Sequence, residues 1–131
     1  MTTALAPSPP PRRAKGPRQF SRHIAAVVSG GKVLALGCAC ETKCHAEVDA
    51  MRKVAARAGG ARKLRGATVW SVRWDARDER LTMAMPCASC CAAMRHHGVR
   101  RCVYSTWEGG LEVARIDSFA GYQNTNVYTQ A

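Results

Sequence analysis

Two short fragments constrain the fold of this chain more than any other part of its sequence. They are H-A-E at residues 45–47 and P-C-A-S-C at residues 86–90, and each opens a predicted helix directly after strand-like sequence. Cys87 and Cys90 are three residues apart, so on a helix they share one face and can bind a single ion. Because helix N-termini carry a partial positive charge, they also favour the thiolate form that zinc requires.

The residue types in these fragments suit a catalytic zinc ion. His45, Cys87 and Cys90 would supply three protein ligands, which leaves the fourth tetrahedral position open, whereas a structural zinc site is closed. Water at such a position ionises near neutral pH. Glu47 lies two residues from His45, and a carboxylate beside that water is a natural proton shuttle. The fragments therefore predict one Zn²⁺ held by three side chains, with Glu47 as the catalytic residue.

Apolar patterning predicts an α/β domain. Residues 23–30 and 32–38 form a β-hairpin around a Ser-Gly-Gly turn, and residues 45–58 form a helix that stops at two glycines. Residues 67–75 are a third strand, in which Trp70, Val72 and Trp74 alternate as a core stripe. A second helix over residues 87–97 follows Pro86, and residues 99–107 and 111–116 are two further strands.

The short turn at residues 108–110 sets the direction of the last strand. So short a connection joins antiparallel neighbours only, because parallel strands need a crossover of a dozen or more residues. The predicted order is β-β-α-β-α-β-β, a five-stranded mixed sheet flanked by helices in a three-layer α/β arrangement.

Composition divides the chain into two parts. Residues 1–22 are predicted to be a flexible basic arm whose prolines exclude a helix, and residues 23–131 to be one catalytic domain. The formal charge is +11, from 20 basic and 9 acidic side chains. Such a charge favours phosphate-bearing partners, although an Arg-rich solvated surface would have the same composition.

The apolar runs and the cysteines of the sequence indicate in which cellular compartment the protein is expected. No run approaches the roughly 20 apolar residues that cross a bilayer, and the start lacks a secretory stretch, so we expect an intracellular protein without a membrane partner. The cytoplasm is the favoured compartment and the nucleus the alternative. In either compartment we expect the seven cysteines to be thiols or metal ligands rather than disulfides. A second metal site of Cys38, Cys40, Cys44 and Cys91 is the less favoured interpretation, and buried or loop cysteines the favoured one.

The two fragments together make H-x-E followed by P-C-x-x-C, the pattern of zinc-dependent nucleobase deaminases. Residues 23–107 resemble the core of the cytidine deaminase superfamily, which includes the CMP and dCMP deaminases. Residues 86–105, PCASCCAAMRHHGVRRCVYS, are similar to tRNA adenosine deaminases and to small virus-type deaminases. The resemblance implies a cytidine deaminase-like fold, Zn²⁺ on His45, Cys87 and Cys90, and Glu47 as the catalytic glutamate.

The resemblance also implies a reaction and the surroundings of its substrate. Hydroxide attacks the ring carbon that bears the amine, while Glu47 protonates the adjacent ring nitrogen and later the leaving ammonia. The backbone near Ala46 and Met85 would border the base. Trp107, at a turn near the edge where pockets of the family open, is a further candidate for substrate binding. The expected partner is a nucleobase in a nucleoside, a nucleotide or a single-stranded nucleic acid.

Three functions remain open at this point. The favoured one is conversion of cytosine to uracil, in nucleotide metabolism or nucleic-acid editing. Adenosine-to-inosine deamination of RNA is the same chemistry, and an inactive zinc-binding module that docks on nucleic acid is a different class. An antiparallel fifth strand resembles the free-nucleoside deaminases and several toxin and plant-editing relatives, while tRNA adenosine and deoxycytidylate deaminases use a helical crossover. The chain departs from the family in two ways: its proline-rich start leaves little room for a first helix, and no Asn stands directly before H-x-E. A homo-oligomer is a further open alternative.

Overall fold

The computed structural model describes residues 21–39 and 45–121, which form one sheet with helices packed against it. The predicted arm, except its last two residues, therefore lies outside the described residues. No helix of the described part is long and apolar enough to cross a membrane. The strands are β1 Ser21–Ser29, β2 Lys32–Cys38, β3 Thr68–Asp75, β4 Arg80–Thr82, β5 Arg101–Ser105 and β6 Leu111–Arg115. The helices are α1 Ala46–Ala55, α2 Gly60–Leu64 and α3 Ala88–His97, and a 3₁₀ turn at Ile116–Ser118 follows β6.

The sheet is mixed, with the strand order β2-β1-β3-β5-β6 and the short β4 paired with the end of β3. β3 and β5 are parallel, and every other pair is antiparallel. This confirms the predicted α/β fold, its hairpin and its antiparallel last strand. β1 begins at Ser21 rather than residue 23, because Ser21 and Arg22 pair with the end of β3.

One strand and one α-helix of the structure were not predicted. β4 has three residues and raises the strand number from five to six, and α2 has five residues after Gly59, which adopts φ +73. Elements this short span too few residues to show a period, so apolar patterning does not detect them. Both lie between predicted elements and leave their order unchanged.

The hydrophobic core lies between the helices and one face of the sheet. Val27 of β1 and Val69 of β3 are fully buried there. α1 contributes Met51 and Val54, three residues apart, and α3 contributes Met94. The inward side of each strand thus meets the apolar side of a helix, which is the packing that the periodicities predict.

The opposite face of the sheet carries large apolar side chains. Trp70 and Trp74 are 37% and 42% exposed, and the described helices pack on the other face. The predicted core stripe on β3 is therefore wrong within the described residues. Alternation shows that side chains share a face, but it does not show what covers that face. Other exposed side chains on this face are Ile24, Leu36, Leu111 and Val113.

Gly37 sets how closely β2 approaches the start of α1. A Cβ atom at this position would overlap the backbone of Ala46 and Ala50. The overlapping atoms belong to the main chain, which cannot move aside as the end of a flexible side chain could. Gly37 therefore lets α1 lie against the sheet at the turn that carries His45 and Glu47.

Gly37→Ala should lower the free energy of unfolding by at least about 2 kcal/mol, because the added methyl group overpacks a backbone contact. Urea denaturation measures this change. Gly110→Ala is the matched control, since its Cβ atom would meet only Thr106 Oγ1, at 3.6 Å. We expect the control to change stability by less than about 0.5 kcal/mol. Equal effects of the two substitutions would contradict the close approach of β2 and α1.

Candidate metal centre

The first residues of α1 and α3 bring the two sequence fragments together. His45 and Cys87 are the N-cap residues, and both have extended backbone with no side-chain capping bond. Their carbonyl groups accept the first helical hydrogen bonds, from the N–H groups of Asp49 and Cys91. The backbone of both residues is thus held by a helix while their side chains remain available as ligands.

His45, Cys87 and Cys90 form one compact group. His45 Nδ1 lies 3.1 Å from Cys90 Sγ and 3.7 Å from Cys87 Sγ, and all three ligand atoms fall within 4.8 Å of one another. Zinc bonds of about 2.3 Å to sulfur and about 2.0 Å to nitrogen place tetrahedral ligands roughly 3.5–3.8 Å apart. The three residues therefore fit a zinc ion, and within residues 21–39 and 45–121 they are the one such group.

The two cysteines differ in acidity although they are one helical turn apart. A hydrogen bond from the Cys90 thiol, helped by nearby backbone N–H groups, lowers the pKa of Cys87 to about 5. The same hydrogen bond and burial raise the pKa of Cys90. At neutral pH the pair thus holds one thiolate and one proton, which a metal must displace. Metal affinity should therefore weaken on acidification, most steeply below about pH 5, where Cys87 is also protonated.

Glu47 is buried beside this group. Its side chain belongs to the first turn of α1 and the residue is 1% exposed. Oε1 lies 3.7 Å from Cys90 Sγ, and Oε2 accepts a hydrogen bond from Ser71 at 3.1 Å. A carboxylate in this place is shielded from bulk water and can exchange protons with a molecule held at the ligand group. Its catalytic role stays a prediction.

His23 and Ser71 are polar residues of the site that the sequence interpretation missed. His23 Nε2 lies 2.8 Å from Ser71 Oγ and 3.8 Å from Glu47 Oε2. Burial lowers the pKa of His23 below its usual value. A sequence signal for both existed, because His23 is in phase with buried Val27 on β1, and Ser71 with buried Val69 on β3. Polar residues at inward positions of a strand need a buried partner.

The other predicted site residues lie around the group. Ala46, the first residue of α1, is fully buried, and Met85 is half-buried in the loop between β4 and α3. Trp107 is 61% exposed in the turn after β5, and its carbonyl accepts a hydrogen bond from Arg80 at 3.2 Å. Contact of these three residues with a substrate stays a prediction.

The other cysteines in the described part of the chain do not join the ligand group. Cys38 is exposed, while Cys91 and Cys102 are buried. Cys91 follows Cys90 directly, so the helix points its sulfur elsewhere, and Gly121 comes close to it. Cys40 and Cys44 lie outside the described residues, so the interpretation of a second metal site remains untested.

Comparison with known families agrees with this geometry. The family model described as the cytidine and deoxycytidylate deaminase zinc-binding region matches residues 12–106, well over half of the 131 residues. The matched span contains both ligand fragments and begins inside the segment that was predicted as an arm. A comparison with curated proteins finds no match to the chain.

The purified protein should bind one zinc ion per chain. His45→Ala, Cys87→Ser and Cys90→Ser should each weaken binding by at least about 100-fold, since loss of a supporting residue alone costs about 10–100-fold. Competition with a chromophoric chelator measures the affinity. Cys38→Ser is the matched control because this thiol lies outside the group. A loss of zinc from Cys38→Ser as large as that from Cys87→Ser would contradict the ligand set.

Proposed function

The chain belongs to the cytidine and deoxycytidylate deaminase zinc-binding family, and from this premise we propose that it is a zinc-dependent hydrolytic deaminase that converts cytosine to uracil. The substrate is a nucleoside, a nucleotide or a single-stranded polynucleotide. The observation that carries the proposal is the buried carboxylate of Glu47 next to a His-Cys-Cys group that fits zinc. His45, Cys87 and Cys90 would hold the ion.

Glu47 is the residue that moves protons in this proposal. A zinc ion held by the group would supply Lewis acidity, which would bring the pKa of a water molecule close to neutral. Glu47 accepts the proton that the attacking water loses and passes it to the ring nitrogen beside the carbon under attack. A second transfer through Glu47 moves the proton of the added hydroxyl group to the amine, and the carbonyl group forms as the C–N bond breaks and ammonia leaves. Since Glu47 is 1% exposed, bulk water competes little for these protons.

The direction of β6 favours cytosine over adenosine in RNA. β6 runs antiparallel to β5, and the two strands are joined by the five residues 106–110. The resemblance associates an antiparallel last strand with free-nucleoside deaminases and several toxin and plant-editing relatives, and a helical crossover with tRNA adenosine and deoxycytidylate deaminases. Adenosine deamination and an inactive nucleic-acid-docking module are therefore the alternatives.

The charge of the chain supports a phosphate-bearing substrate. The whole chain carries +11, and residues 12–18 contain four of its basic side chains and no acidic one. Such a field concentrates anionic ligands and would extend the contact with a polynucleotide beyond one base. We include in the proposal a basic arm over residues 1–22 ahead of a catalytic domain over residues 23–131.

Glu47→Gln should leave zinc binding intact and lower kcat by about 10²–10⁴-fold, because it keeps the shape of the side chain and removes the proton acceptor. Ammonia release and metal analysis of the same preparation give the two values. Asp49→Asn is the control, being an acidic residue on the same helix whose carboxylate pairs with Lys53. An active Glu47→Gln enzyme would exclude the shuttle.

The zinc-loaded protein should release ammonia and a uracil product from at least one cytosine substrate. The panel is cytidine, deoxycytidine, their monophosphates, and single-stranded DNA and RNA, with tRNA added to detect inosine. Inosine as the sole product would decide for the adenosine alternative. No product from any substrate, together with salt-sensitive nucleic-acid binding lost on deletion of residues 1–22, would decide for the docking module.

A further inference from the structure

Ser71 stands at the centre of a buried polar cluster behind Glu47. Ser71 is fully buried on β3, and its hydroxyl oxygen lies near three polar atoms. These are His23 Nε2 at 2.8 Å, the Ala84 carbonyl at 2.9 Å and Glu47 Oε2 at 3.1 Å. Through this one hydroxyl group the cluster connects β1, β3, the loop before α3 and helix α1.

Donor counting assigns the roles within this cluster. A serine hydroxyl has one hydrogen, and both the Ala84 carbonyl and the Glu47 carboxylate only accept. The hydroxyl therefore donates to one of these two, and His23 can bond to it only by donating from Nε2. Burial lowers the pKa of His23 although the charge of Glu47 opposes this shift, which agrees with a neutral imidazole, and the donor count places its proton on Nε2.

The cluster fixes which way the Glu47 carboxylate turns. Ser71 holds Oε2, and His23 Nε2 lies on the same side at 3.8 Å. Oε1 is left facing Cys90 Sγ at 3.7 Å, on the side of the ligand group. A carboxylate without these partners would be free to rotate about its last torsion, which is broad and poorly restrained by itself.

We infer that Ser71 and His23 are positioning residues that orient Glu47 for proton transfer, a role that rests on the proposed function of Glu47. His23 donates to Ser71 and thereby aims the lone hydrogen of Ser71 at Glu47 Oε2 or at the Ala84 carbonyl. A rotating hydroxyl serves both forms of the shuttle: it donates to the carboxylate, and it can turn to Ala84 and accept from the carboxylic acid. An aliphatic side chain at position 71 has neither capacity.

Kinetics of the zinc-loaded full chain test the Ser71 half of the inference. Ser71→Ala should lower kcat by about 10–100-fold, the scale of a small misplacement of a reacting group, with KM changed less than about threefold. Ser71→Thr, which keeps the hydroxyl, should recover most of kcat. The matched control is Ser105→Ala, which removes another fully buried strand serine that bonds to Thr82 O and Arg73 N. This control should lose stability and keep kcat.

Two amide substitutions test which nitrogen of His23 matters. Gln places its amide nitrogen near the position of Nε2, and Asn places it near Nδ1. His23→Gln should therefore keep most of kcat, and His23→Asn should fall to the level of Ser71→Ala. Equal kcat values for the two variants, or a Ser71→Ala enzyme with full kcat and bound zinc, would overturn the inference while leaving the deaminase proposal standing.

Crystal structures of the zinc-loaded protein and of Ser71→Ala separate this inference from the proposed function. In the variant we expect the Glu47 carboxylate to turn, so that Oε1 moves away from Cys90. An unchanged carboxylate would overturn the positioning role even if no substrate of the panel is deaminated. A turned carboxylate in a protein without activity would support the positioning role and refute the deaminase.

Discussion

The convergence of two helix starts on one point is the constraint on which the rest of the structure depends. His45 precedes α1 and Cys87 precedes α3, and their ligand atoms come within 3.7 Å. α1 reaches this place because Gly37 lets β2 approach its backbone. α3 follows β4 in the chain and packs in the same core cluster as α1. A shift of either helix along its axis would change the distances between these atoms, which a tetrahedral zinc site holds at roughly 3.5–3.8 Å.

Burial of a carboxylate in this position has a cost that the surrounding residues offset. Glu47 lies in the core region, where an unpaired charge is strongly disfavoured. Ser71 accepts a hydrogen bond from His23 and can donate its one hydrogen to Glu47, which offsets part of this cost. The same polar cluster interrupts the apolar packing between β1 and α1. Apolar packing is thus given up where a carboxylate is held by hydrogen bonds, as is common at functional sites.

The two faces of the sheet have different roles in the described part of the chain. The helices pack on one face, and the ligand group lies on the same side of the sheet. The other carries Trp70, Trp74 and several aliphatic side chains that residues 21–39 and 45–121 leave exposed. The family match starts at residue 12, nine residues before β1, so the matched domain includes chain beyond the sheet that is described.

The sequence by itself determined the features that depend on local spacing. Cys87 and Cys90 share a helical face because they are three residues apart, the turn at residues 108–110 is too short for a crossover, and both ligand fragments stand at helix starts. Only the tertiary structure decided which inward-facing polar residues meet, and so revealed His23 and Ser71 beside Glu47. It also decided that Trp70 lies on the face opposite to the described helices. The physical reason is that periodicity assigns a side chain to one side of its element, whereas contacts between distant elements depend on how those elements pack.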